Sequence, residues 1–153
     1  MKVCVGADNA GFEGKKVVLE VLANRGVDLI DVGTTANEAV DFPDVAEAVC
    51  RQVLAGNVQR GILVCGTGIG ACIAANKVHG IRAALAHDIH SAHQSVEHDD
   101  ANILCLGSKI VGPWLLPELV GAFLDARWSE SEEHRRRVAK LARLEAISII
   151  DRG

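Results

Sequence analysis

Short apolar runs alternate along this chain with longer stretches whose apolar positions recur every three to four residues. Runs at 3–6, 27–33, 60–65, 82–86 and 103–106 have the length of buried strands. Between them, helical spacing over 11–25 sets Val18, Val21 and Leu22 on one face, and Gly26 supplies a stop. Further helices are predicted over about 43–55, 69–78, 89–98, 113–126 and 130–147. Strands that alternate with helices imply a parallel sheet covered on both faces. In such sheets ligands gather outside the carboxyl ends of the strands. Here that edge carries the loops at 7–10, 66–70, 87–88 and 107–112. No internal repeat, linker or low-complexity segment interrupts the alternation, which predicts one α/β domain over 1–153.

Composition sharpens this picture. Apolar residues make up 49% of the 153 and aromatic ones only 3%, so the core must be aliphatic. The net charge of −4 and the scattered basic residues exclude a nucleic-acid footprint, though a phosphate site needs only two or three cations. No apolar run is long enough to cross a membrane, and the N-terminus reads as a core strand instead of a leader. Five cysteines (Cys4, Cys50, Cys65, Cys72 and Cys105) contain no CxxC pair, which fits reduced thiols in a cytoplasmic protein. Four of them read as small core hydrophobes.

Cys65 differs, because Gly66-Thr67-Gly68-Ile69-Gly70 follows it at once. Glycines let main chain approach a ligand closely, and N–H groups opening a helix attract anions. A thiol at that mouth suits proton abstraction beside a carbonyl, with the amides cradling the enediolate. The same amides are expected to lower the thiol pKa. Two other readings of the loop stay open: a dinucleotide site and a plain tight turn. The spacing is GxGxG after the third strand, not GxGxxG after the first, and the acid about the right distance downstream is Asp88. No Walker Lys-Ser/Thr follows, which excludes a P-loop. His87, His90 and His93 could form a metal site, but three-residue spacing also suits exposed helix positions. Trp114 and Trp128 flank a late helix and could pack across a subunit interface, though ordinary core packing is the first expectation.

Several segments occur in order: Gly6-Ala7-Asp8-Asn9-Ala10-Gly11, Cys65 to Gly70, Ala74-Ala75-Asn76-Lys77, Gly80-Ile81-Arg82-Ala83, His98-Asp99-Asp100-Ala101-Asn102 and Leu106-Gly107-Ser108-Lys109. Over nearly its whole length the chain resembles the type B ribose-5-phosphate isomerase family, which includes galactose-6-phosphate isomerase. The resemblance implies a metal-free, cofactor-free aldose–ketose isomerase of a phosphorylated sugar. It implies a Rossmann-like three-layer α/β/α sandwich with a five-stranded parallel sheet and an extra C-terminal helix. It further implies a homodimer or homotetramer whose site is shared between subunits, with that last helix packed on the partner. By position, Cys65 matches the proton-shuttling base, Gly66 through Gly70 the enediolate loop, His98 the ring-opening residue and Asp8 the acid at the sugar hydroxyls. Arg137 matches a phosphate ligand, Arg136 lies beside it, and Lys109 sits where a basic contact is expected.

Each role has a plainer counterpart. Asp8 could cap a helix, and His98 could be a solvated helix-end residue. The acids Asp99 and Asp100 after His98 would favour its charged form. Arg137 shares spacing with Leu141 and Leu144, which borders it on an apolar stripe facing protein; alternatively it pairs with Glu133 one turn earlier. Three positions depart from the family pattern: Asn9 replaces His, Asp99 replaces Asn, and Glu133 replaces Arg. Arg to Glu removes two positive charges beside a dianion, and one charge at 4 Å is worth about 4 kcal/mol at an effective dielectric near 20. The expected substrate is ribose 5-phosphate/ribulose 5-phosphate or a related four- to six-carbon sugar phosphate, and these departures point to an altered preference among them. Two other functions remain: a cysteine hydrolase or acyltransferase using Cys65 as nucleophile, and a non-catalytic sugar-phosphate sensor.

Overall fold

The computed structural model describes residues 1–36 and 38–150; Asn37 and 151–153, parts of the expected domain span, lie outside the described residues. Five parallel strands form one sheet: β1 (Lys2–Ala7), β2 (Asp28–Gly33), β3 (Arg60–Cys65), β4 (Ala83–Leu85) and β5 (Ile103–Gly107), in the order β2-β1-β3-β5-β4. Six α-helices connect or follow them: α1 (Phe12–Asn24), α2 (Phe42–Leu54), α3 (Ile69–Ala75), α4 (Ile89–Asp99), α5 (Leu115–Asp125) and α6 (Glu132–Ile150). The three-layer α/β/α sandwich with its extra terminal helix is as expected.

Strand periodicity explains both layers. Val3 and Val5 of β1, Ile62 and Val64 of β3, and Leu104 and Leu106 of β5 turn to one face, against Val18, Leu22, Val96, Leu119 and Phe123 of α1, α4 and α5. The intervening residues Cys4, Leu63, Ile103 and Cys105 meet Val45, Val49, Cys50, Ala71 and Ala75 of α2 and α3. Cys65 shares the parity of Leu63 and so closes this second face at the carboxyl end of β3.

The strand order fixes where a ligand can enter. From β1 the chain passes outward to β2, then crosses back to β3 on the other side of β1. The loops leaving β1 and β3 therefore diverge at a topological switch point, and a crevice opens between them. In register, Ala7 pairs with Val64 and Cys65 with Gly107. Asp8, Cys65 and the 107–112 loop thus meet at one edge. Beside them, wholly buried Lys15 donates to Asp31 Oδ1 at 2.7 Å and to the Thr34 carbonyl at 2.6 Å, anchoring the loop between β2 and α2.

Some boundaries differ from expectation. The first helix begins after a separate 3-10 turn at Asn9–Gly11. The third helix stops at Ala75, short of 78, because Asn76 diverts the chain. Its Nδ2 donates to the Cys72 carbonyl at 3.0 Å and the Ala83 carbonyl at 2.8 Å, while its Oδ1 accepts from Ala83 N–H at 2.9 Å. Such side-chain bonds compete with helix continuation. Trp114 is 91% exposed on the lip of α5, so it is no core residue, whereas Trp128 is half-buried.

Candidate active site

Asp8 is the pivot of the carboxyl edge. Its extended backbone caps the 3-10 turn, and Oδ1 accepts from Gly11 N–H at 2.8 Å. The other oxygen, Oδ2, accepts from the Cys65 thiol at 3.1 Å. Both residues are nearly buried, Asp8 at 8% and Cys65 at 9% exposure. The cap and the contact with Cys65 therefore coexist in one carboxylate.

Around the sulfur, Gly68 takes φ of 78°, a left-handed conformation that lets the chain turn straight into α3. The main-chain amides of Gly66 and Gly68 favour the thiolate, but burial and Asp8 outweigh them. The thiol pKa is consequently raised, burial contributing most, where the sequence predicted a fall. The resting group is a protonated thiol already directed at a proton acceptor. Thr67 is exposed on the loop, and its Oγ1 accepts from Ile69 N–H at 3.3 Å.

The 107–112 loop supports this mouth from behind. Ser108 N–H and Lys109 N–H donate to the carbonyls of Cys65 and Gly66 at 2.9 and 3.0 Å. Ser108 Oγ lies 3.1 Å from the carbonyls of both Ala10 and Cys65. The aliphatic stem of exposed Lys109 passes over Gly66, with Cδ 3.7 Å from the point a Gly66 Cβ would take. Asn9 lines a neighbouring crevice with Gly33, Val40, Asp41 and Asp44.

The remaining expected residues lie elsewhere on the molecule. Helix α4 runs back against the strand direction, so His98 and Asp99 close it just before Ile103, at the amino edge of the sheet. The four residue steps of β5 alone separate that edge from Cys65 by about 13 Å. His98 stacks on His134 of α6 with ring centroids 4.3 Å apart. The carboxylate within ion-pair distance of His98 is that of Glu97, at 3.9 Å; Asp100 is instead held by Arg82 at 2.6 Å. Arg137 is 55% exposed and paired with Glu133, so it does not face protein as its spacing suggested, because only part of the α6 surface meets α4. Arg136 is exposed beside it. Leu141, Leu144 and Glu145 of α6 line a groove with Arg82 and Asp99.

Residues 3–141 match the protein family described as Ribose/Galactose Isomerase. The chain belongs to this family. It is 42% identical over 144 residues to ribose-5-phosphate isomerase B of Escherichia coli, covering 94% of this chain and 96% of that one. It is 40% identical over 129 residues to D-erythrulose-4-phosphate isomerase of Pectobacterium atrosepticum, covering 84% and 85%. The solved structure of Clostridium thermocellum ribose-5-phosphate isomerase B is similar with a TM-score of 0.94 at 42% identity, over 97% of this chain and 99% of that one. The chain is therefore an aldose–ketose isomerase of a phosphorylated sugar, working through an enediolate.

Other sequence candidates resolve into structural parts. Asp88 caps α4, accepting from Ser91 N–H at 2.8 Å and its hydroxyl at 2.6 Å. His93 lies 3.4 Å from Glu97, while His87 Nε2 is buried near Gly107; the two rings diverge. Among the described residues no group of three His, Cys, Asp or Glu converges as a metal site would require. No helix among them is long and apolar enough to cross a membrane.

Two features went unread in the sequence. Phe42, at the start of α2, lies against the glycine loop: a Cβ on Gly70 would meet its ring at 2.9 Å. An aromatic just before Pro43, at a predicted helix start after the second strand, was its signal. Cys72 is only partly buried, and its pKa is lowered to about 7, chiefly by a hydrogen bond from Cys105. It is not the inert core thiol expected, because α3 lays it beside β5.

Proposed function

We propose that this isomerase interconverts ribose 5-phosphate and ribulose 5-phosphate, with Cys65 as the shuttling base. The observation that carries the reading is the Cys65–Asp8 contact of 3.1 Å at the opening of the glycine loop. Asp8 takes the thiol proton, and the thiolate removes hydrogen from C2 of the open-chain aldose and returns it at C1. The N–H groups of the 66–70 loop hold the enediolate oxygens, where charge develops only during reaction. Thr67 lends its hydroxyl to pass the proton of the C2 hydroxyl on to O1, and Asn9 contacts the sugar from the adjacent wall. The phosphate lies away from Asp41 and Asp44, towards Lys109.

In this reading the site is completed by a second copy of the chain. His98 as ring opener, Asp99, Arg136 and Arg137 sit on the far edge of their own sheet, too distant from their own Cys65 to act with it. A neighbouring subunit in a homodimer or homotetramer supplies them across the crevice. The Glu133–Arg137 ion pair favours a second substrate reading. An arginine already engaged by a carboxylate binds a dianion less strongly, so a shorter sugar such as D-erythrulose 4-phosphate, seated closer to Lys109, is the competing choice.

A panel of four-, five- and six-carbon aldose and ketose phosphates in heavy water, followed by NMR, tests this. Ribose 5-phosphate should turn over fastest, with deuterium entering at a carbon beside the carbonyl, and Cys65→Ala should abolish conversion. Faster conversion of the tetrulose phosphate would replace the substrate, and an active Cys65→Ala enzyme would remove the mechanism.

A further inference from the structure

Among the described residues, two buried side-chain polar atoms lack a hydrogen-bond partner within the protein: His87 Nε2 and Trp128 Nε1. Orphaned groups of this kind are costly and call for a reason. His87 is held firmly in place. It follows β4, and Asp88 next to it caps α4 through two bonds to Ser91. Its ring is driven inward, behind the glycine loop.

A Cβ placed on Gly107 would lie 2.5 Å from the Thr67 carbonyl oxygen and 2.8 Å from His87 Nε2. The imidazole nitrogen and that carbonyl thus converge on one small space, left open by the glycine. Thr67 C=O and Gly68 N–H belong to a single peptide group. Gly68 N–H is in turn one of the two main-chain amides that favour the Cys65 thiolate. A proton donated to the carbonyl side of this peptide strengthens its N–H as a donor on the other side.

We propose that His87 is a positioning residue of the isomerase: its Nε2–H closes on the Thr67 carbonyl as the loop takes hold of substrate, polarising the Thr67–Gly68 peptide towards Cys65 and the enediolate. This role requires the tautomer with the proton on Nε2, since the Thr67 carbonyl can only accept. Catalytic hydrogen bonds of this kind are often open in the free enzyme and tighten in the complex. The inference rests on the reading of the 66–70 loop as the enediolate cradle, and it adds a group that never touches the sugar.

The test compares His87→Leu with His87→Gln in the full chain, since Gln returns an N–H donor at similar reach. Ribose 5-phosphate turnover gives kcat and KM. Site-resolved iodoacetamide labelling between pH 7 and 10, read by peptide mass spectrometry, follows Cys65 with Cys72 as internal reference. Asp8, which faces the same sulfur, and Lys109, whose stem lies over Gly66, are unchanged in both variants. His87→Leu should lower kcat about tenfold, the size of one ordinary hydrogen bond, with KM within about twofold. It should also move Cys65 labelling to higher pH without moving Cys72, and His87→Gln should restore most of both. Equal losses in the two variants, or no change in His87→Leu, would overturn the proposal. The labelling arm needs no turnover, so a wrong substrate or an active Cys65→Ala enzyme would be seen separately.

Discussion

Gly11→Ala is the most direct probe of how the backbone holds Asp8 against Cys65. A Cβ at this position would lie 2.0 Å from the Val64 carbonyl oxygen, 2.3 Å from its carbon and 2.7 Å from Cys65 N. A carbon and an oxygen in contact settle near 3.3 Å, so the overlap is about 1.3 Å. No flexible side chain can absorb it, because all three atoms are β3 main chain. The 3-10 turn must instead retreat by roughly 1 Å, and it carries Asp8 with it through the Gly11 N–H bond to Oδ1. The Oδ2–Sγ distance of 3.1 Å would then open beyond about 4 Å, past the reach of a sulfur hydrogen bond. Displacements of this size cost about 10²-fold in rate, and overpacking costs about 1–3 kcal/mol in stability. For a domain of this length that lowers Tm by roughly 2–12 °C. Turnover should be measured well below Tm, with Gly112→Ala as control, since a Cβ there meets nothing within 4 Å. The variant should fold, melt earlier and lose about two orders of magnitude in kcat while the control stays near wild type. A folded Gly11→Ala enzyme with parental kcat would refute the coupling between this turn and the thiol.

Mixing two inactive enzymes, Cys65→Ala and His98→Ala, after joint unfolding and refolding should recover about a quarter of parental activity. Half the dimers would then be mixed, and one of their two sites would be intact; no recovery would show that the site is not shared. Alkaline stability gives an independent check on the core thiols. Burial pushes Cys4 up to about 12 and Cys50 up to about 11, from an ordinary 9.0, and both are wholly buried. Below about pH 9 both folded and unfolded chains hold these protons, so their contribution is intact. Above it the unfolded chain releases them first, and stability falls by about 1.4 kcal/mol per pH unit per thiol. Cys72, lowered to about 7, acts oppositely: its contribution is present above 9 and is lost as pH falls through 7. Urea unfolding from pH 9 to 10.5 should therefore show a steep loss that Cys4→Ala/Cys50→Ala flattens, and an unchanged slope would contradict the assignment.

The elements and the site were not equally legible in the sequence. The central strands could be read because a parallel sheet buries both their faces, so 61–65 stands out as an unbroken apolar run whatever surrounds it, while the edge strand β2 is largely exposed. The helix at 69–78 could not be bounded, because its end depends on Asn76 reaching Ala83, a bond that exists only once β4 is in place. The same distinction separates the two ends of the site. Cys65 and its glycines are local, and their place at a strand's carboxyl end follows from the order of residues alone. The acidity of that thiol is not local: burial and an aspartate 57 positions away reverse the effect of the loop amides. Cys72 shows the converse, since its partner Cys105 is brought to it by the packing of α3 on β5 and draws its pKa down.

The position of His98 lay within reach of sequence reasoning. A helix between two parallel strands must run back along the sheet, so a residue five positions before Ile103 belongs to the amino edge. A cysteine closing β3 belongs to the carboxyl edge. The two cannot meet within one such domain, whatever their side chains do, because the strands between them are straight and about 13 Å long. Motifs that lie on opposite edges of a parallel sheet yet serve one reaction therefore argue for a second subunit from topology alone. On the proposed shared site, the exposed α6 face, with Arg136, Arg137 and the stacked His134, would serve the neighbouring subunit as well as cover its own domain.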